Sequence, residues 1–227
     1  MGSPTIWHPV LAAQDLRAGH GVVAARLLGQ ELALWRSEDG QAQAWENRCP
    51  HRGVRLSLGR VVGNRLACAY HGWEYAANSG RCVAIPAMPH VPVPGKVCAK
   101  TYPVRESQAM VWVALNAQSD QGAAATGPDP VADSTLTPHG RPIGSLAVYA
   151  SPEAVDAALA SRGFVLYSES RWDGTLADTP VRIFTQQADT ALNMLHLWMA
   201  RPGAGFASPT VFSAARRLRA AIEGAAS

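Results

Sequence analysis

Residues 47–75, NRCPHRGVRLSLGRVVGNRLACAYHGWEY, constrain this chain more than any other stretch. Two cysteine–histidine pairs stand in it, Cys49-Pro-His51 and Cys68-Ala-Tyr-His71, with sixteen residues between His51 and Cys68. Gly63-Asn64 lies between the runs RVV and RLACAY and predicts a two-residue hairpin. Each pair therefore sits on a loop, and the loops reach a common ligand from one side. Thiolate and imidazole together select few metals. Zinc accepts such donors, but its sites usually group cysteine with cysteine and histidine with histidine. Here each loop offers one of each. That suits a two-iron, two-sulfur cluster in which one iron takes both thiolates and the other both imidazoles. Zinc stays the alternative.

The surrounding sequence reads as β structure. ELALWR, the Asp39-Gly40 pair and AQAW predict a hairpin with a tight turn. Ser79-Gly80 turns the chain before RCVAIPA, and AMVWVAL (109–115) is short enough for a buried strand. PAMPHVPVPG (86–95) carries four prolines and predicts an extended surface loop. Residues 5–117 are thus expected to form an all-β domain of antiparallel sheets with two ligand-bearing loops. Residues 118–142, rich in Gly, Ala, Ser, Asp, Thr and Pro, predict a linker. Residues 143–227 predict a small α+β domain. IGSLAVYA reads as a strand and SPEAVDAALASRG as a helix, with Ser151 as N-cap, Pro152 in the first turn and Gly163 after its end. FVLYSES, TPVRIFT and ALNMLHLWMA read as three strands. SPTVFSAARRLRAAIEG closes the chain as an amphipathic helix, with Val211, Ala215, Leu218 and Ile222 on one stripe and Arg216, Arg217 and Arg219 off it.

Composition excludes several classes. Lys plus Arg number 20 and Asp plus Glu 17, a net charge of +3 that gives no basis for nucleic-acid binding. No run of eighteen apolar residues predicts a membrane span, and no basic-then-apolar leader is read, so a cytoplasmic location is expected. Cys82 and Cys98 lie outside the two motifs and are expected to be buried free thiols.

The segment from Trp7 to Leu115 resembles the N-terminal Rieske domain of aromatic-ring-hydroxylating oxygenases and demethylases. WHPVLAAQDL, LLGQELALWR, CPHRGVRLSLGRV, CAYHGWEY and GRCVAIPA carry the likeness. It implies that Cys49, His51, Cys68 and His71 hold one [2Fe-2S] cluster. Rieske proteins of the respiratory cytochrome bc type carry two further loop cysteines; the matching positions here are Val54 and Tyr70. Trp73 replaces a serine that hydrogen-bonds the cluster in that class. Fewer such bonds predict a potential toward the low end of the Rieske range, about −150 mV. Trp73 and Tyr75 are read as core aromatics that roof the cluster. Arg48, Arg52, Arg55, Arg60 and Arg65 form either a solvated basic surface or a docking face for an acidic partner.

In the resembled oxygenases a helix-grip domain follows, holding a mononuclear iron with two histidines and a carboxylate spaced like Asp-x-x-His-x₄-His. Beyond residue 116 only His139 and His196 occur, and neither stands in that motif. His196 is expected to be a core strand histidine, and no spacing makes Asp189 a third ligand. No mononuclear iron is therefore expected. The second half is read as a shortened remnant, with RIFTQQADTALNMLHLWMARPGAG resembling the family's last strands. The expected function is one-electron transfer within a Rieske oxygenase system. An electron-donating reductase or ferredoxin is the expected partner, and a trimer or mixed oligomer with full-length oxygenase subunits is open. The alternatives are an oxygenase with an unrecognised iron site and a zinc or redox-sensing module.

Overall fold

Strands β1 (His8–Ala12), β2 (Val23–Leu27), β3 (Gln30–Arg36), β4 (Ala42–Glu46), β5 (Arg60–Val62), β6 (Arg65–Ala67), β7 (Glu74–Ala76), β8 (Cys82–Ala84), β9 (Thr101–Tyr102), β10 (Val104–Ser107) and β11 (Met110–Val113) form the N-terminal half of the computed structural model. The structure describes residues 5–93, 95–116, 140–200 and 209–225. His139 and most of the expected linker lie outside these residues. The chain divides into two compact units, Met1–Arg26 with Gln30–Ser134, and Leu27–Gly29 with Thr135–Ser227.

The first unit contains three small sheets, ordered β1-β11-β10, β2-β3-β4-β9 and β5-β6-β7-β8. In β3, Leu32, Ala33, Leu34 and Trp35 are all buried, so both faces of this strand are covered. Trp35 meets Trp45 of β4 edge to face, with centroids 5.0 Å apart. The Asp39-Gly40 hairpin is longer than a tight turn. Arg36 pairs with Ala42, and the Ser37 amide and hydroxyl both donate to the Gln41 carbonyl at 3.0 Å. The second hairpin matches its reading: Val62 pairs with Arg65, leaving Gly63-Asn64 as the connection.

The second unit has β12 (Pro142–Val148), α1 (Pro152–Ala160), β13 (Val165–Ser168), β14 (Arg171–Leu176), β15 (Thr179–Asp189), β16 (Leu192–Met199) and α2 (Pro209–Ala225). Its five strands form one antiparallel sheet, β12-β16-β15-β14-β13. The Ser151 hydroxyl accepts from the Ala154 amide at 3.3 Å and caps α1. Val211, Ala215, Leu218 and Ile222 of α2 pack with Val148, Ile183, Leu195 and Leu197 of the sheet. Arg216 and Arg217 are exposed, and Arg219 pairs with Glu223 at 3.1 Å.

Four strands follow α1, not three. The one not foreseen is β14, RWDGTL, where Asp and Gly depress the strand signal. Gly174 stands there because nothing larger fits: a Cβ would lie 2.4 Å from a ring carbon of the buried Phe164. Gly174→Ala is expected to lower stability by about 1–3 kcal/mol, read as a lower urea midpoint with an unchanged slope. An unchanged midpoint would show that the Phe164 ring swings aside freely.

Candidate metal centre

The two cysteine–histidine loops are built alike. The Cys49 amide donates to the Val54 carbonyl at 2.8 Å, and the Gly53 amide donates back to the Cys49 carbonyl at 2.8 Å. In the second loop, Cys68 donates to Trp73 at 2.9 Å and Gly72 donates to Cys68 at 3.1 Å. Both loops therefore close a Cys-x₃-Gly turn, with Gly53 at φ +76° and Gly72 at φ +71°, a region that favours glycine. The second loop joins the paired strands β6 and β7. The first is fastened by Asn47, whose side-chain oxygen accepts from the Ser57 amide at 2.8 Å while its amide donates to the Ser57 hydroxyl at 3.0 Å.

The loops bring like donors together. Cys49 and Cys68 are buried in an apolar cluster with Leu56, Leu66, Tyr75 and Ile85. Burial pushes the Cys68 thiol up, and the Cys49 sulfur beside it adds to the shift. Two neighbouring buried thiolates need a compensating positive charge. The histidines meet as a second pair, with Nδ1 of His51 and Nδ1 of His71 3.2 Å apart. Two nitrogens about 2.0–2.1 Å from one tetrahedral metal lie about 3.3–3.4 Å apart by geometry. The donors thus fit a cluster whose two metals are ligated differently. Among the described residues no three His, Cys, Asp or Glu side chains close on a single ion, so the four do not form one compact zinc-like set.

Desolvation, then the charges of His71 and Arg52, hold His51 below the ordinary imidazole value. Trp73 stacks on His51, with centroids 4.0 Å apart and planes at 8°, and fixes its ring. Tyr70 covers His71 at 3.8 Å. Tyr75 has a role beyond the expected core packing. It is fully buried, and its hydroxyl lies 3.1 Å from Cys49 Sγ. A buried phenol calls for a polar partner that phenylalanine does not, but nothing in the sequence names that partner. Cys82 is buried as expected, whereas Cys98 is exposed.

His196 sits apart from these donors, in β16 of the second unit. It is buried; its Nδ1 lies 2.8 Å from the Ser145 hydroxyl, while Nε2 has no partner. It is therefore a core strand histidine only half satisfied. Asp189 ends β15, where its carboxylate accepts from the Thr190 amide at 2.8 Å.

A family model for the Rieske [2Fe-2S] domain matches residues 6–103. The same half is similar to Oxidoreductase NdmD of Pseudomonas putida, 48% identical over 109 residues that make up 48% of this chain and 18% of that protein. It is also similar to methylxanthine N1-demethylase NdmA of Pseudomonas putida, 37% identical over 118 residues, 50% of this chain and 33% of that one. The chain thus spans a third or less of the length of these two relatives. Over 98% of this chain and 87% of the other, the fold is similar to the crystal structure of dicamba monooxygenase bound to dicamba, with a TM-score of 0.74 and 18% identity.

Burial pushes the His196 pKa down to about 4 from an ordinary 6.5. The unfolded chain then takes up this proton near pH 6.5, and the folded chain only near pH 4. Stability is expected to fall by about 3 kcal/mol as pH drops across that window. Urea midpoints of the protein and of His196→Gln should converge on acidification; parallel pH profiles would rule this out.

Proposed function

We propose, from the premise that residues 6–103 are a Rieske [2Fe-2S] domain, that this chain carries single electrons within a Rieske oxygenase system. Cys49 and Cys68 would hold one iron and His51 and His71 the other. When bound, the cluster supplies a one-electron redox couple. The supporting observation is the sorting of donors: two sulfurs meet in an apolar interior and two Nδ1 atoms meet 3.2 Å apart toward solvent.

The chain's own residues do the rest. Leu56, Leu66 and Ile85 keep water from the sulfurs. Trp73 holds the His51 plane, and the Tyr75 hydroxyl, 3.1 Å from Cys49 Sγ, would donate to that sulfur once it is a metal-bound thiolate. The electron would come from a reductase or ferredoxin and pass to a catalytic oxygenase subunit, in a trimer or mixed ring. Electron transfer is favoured over oxygenation by this chain alone because, in the second unit, α2 packs on the sheet through apolar side chains. Among the described residues, moreover, no three His, Cys, Asp or Glu side chains close on one ion.

Anaerobically isolated protein is expected to contain two irons and two inorganic sulfides per chain, and to give a Rieske electron paramagnetic resonance signal when reduced. Cys49→Ala should lose the signal and destabilise the first unit. Iron-free zinc protein would reject the cluster. A third iron, with oxygen-dependent product formation by this chain and a reductase alone, would reject the electron-carrier role.

Tyr75→Phe removes one hydrogen bond to a ligand sulfur that is more negative in the reduced state. One bond of about 1 kcal/mol corresponds to about 40–60 mV for one electron. Redox titration should show the variant lower by that amount, with cluster content unchanged. An equal potential would mean the hydroxyl points its proton elsewhere.

A further inference from the structure

We propose that the histidine edge of the first unit is a docking face for an acidic iron–sulfur donor protein, and that Arg48 and Arg52 hold that partner. This rests on the cluster assignment above. Five arginines lie between residues 48 and 65, and the structure separates them. Arg55 grips Glu31 with two bonds, of 2.7 and 3.0 Å, and Arg26 shares that carboxylate at 3.4 Å. Arg65 pairs with Glu74 at 2.9 Å. These charges are internally answered. Among the described residues Arg48, Arg52 and Arg60 are exposed and form no ion pair; Arg60 opens β5, outside the two cysteine–histidine turns, which leaves Arg48 and Arg52 at the histidine edge. Both belong to the loop of His51: the Arg48 guanidinium lies along Gly53, its Nε 3.4 Å from where a Cβ would stand, and Arg52 directly follows His51.

The position of this surplus charge gives it meaning. Both cysteine ligands are buried, while His71 is exposed and His51 half-buried. The imidazole side is thus where a protein partner can come within electron-transfer distance. Tyr70, 62% exposed and packed on His71, adds an aromatic contact at the same edge. Tyrosine and arginine are the residue types enriched in protein interfaces. Two unanswered cations beside a redox port select an acidic partner and speed its approach. The donor's reduced cluster loses one electron and this chain's cluster gains it; no bond forms or breaks.

Binding of an oxidised, acidic plant-type [2Fe-2S] ferredoxin to the oxidised protein tests this by calorimetry at low ionic strength. Arg52→Glu and Arg48→Glu are each expected to weaken it about tenfold and to flatten its salt dependence. Arg17→Glu makes the same change of net charge at another exposed, unpaired arginine and should change affinity less than twofold. Stopped-flow reduction by ferredoxin should slow in step with binding, while reduction by cationic methyl viologen should not slow. Equal effects of Arg17→Glu and Arg52→Glu, or no ferredoxin binding by the unaltered protein, would overturn the docking face. Failure of the cluster assignment would show separately, as a missing electron paramagnetic resonance signal in the unaltered protein.

Discussion

Two sulfurs buried side by side govern the first unit. Burial, and the Cys49 sulfur beside it, make the Cys68 thiol resist ionisation. A cationic metal reverses that penalty, so metal binding and the fold of the loops stabilise each other. The loops are prepared for this. In each, the glycine four residues on donates to the cysteine carbonyl while the cysteine amide donates to the carbonyl of the residue after that glycine, and Asn47 ties the first to Ser57. Three small sheets serve to hold two turns in register.

The donors were legible in the sequence because their chemistry is local. Cys-x-His, Cys-x-x-His and the Gly63-Asn64 hairpin between them fix two loops on neighbouring strands. Cys49 and Cys68 do meet, and so do His51 and His71. What could not be read depends on contacts across the sheet. Nothing near Tyr75 in sequence says that its hydroxyl ends at Cys49, twenty-six residues earlier. The stack of Trp73 on His51 is likewise an inter-loop contact. Strand β14 was hidden because Asp173 and Gly174 obey tertiary demands: one takes the Arg171 guanidinium at 3.2 Å, and the other makes room for Phe164.

The second unit divides its sheet by chemistry. The side that packs against α1 and α2 is aliphatic and aromatic. Directly opposed residues share a face, and Ser145, His196, Phe184 and Arg171 are opposed in turn across β12, β16, β15 and β14. That row lacks the helices' aliphatic partners and includes two buried polar groups, Arg171 and His196. Arg171 is fully buried, bound to Asp173 and stacked under Tyr167 at 3.9 Å. Such a pair adds little net stability, but removing Asp173 leaves the buried Arg171 charge without its partner, so the pair fixes one arrangement of the strands.

The proposed ligands, unequal in charge, would give the first unit a direction. With a cluster bound, the thiolates would concentrate negative charge on the buried side and the neutral imidazoles would leave the outward side easier to reduce. The apolar surroundings of Cys49 and Cys68 strengthen every interaction there, including the Tyr75 hydrogen bond. On the other side, His71 meets solvent and Arg48 and Arg52 add unpaired positive charge. In the proposed role an arriving electron would be drawn to the edge a partner can touch, while the sulfur side would set how tightly it is held. In that role Tyr75 would act on the potential and Arg52 on the encounter, so that each could be changed without the other.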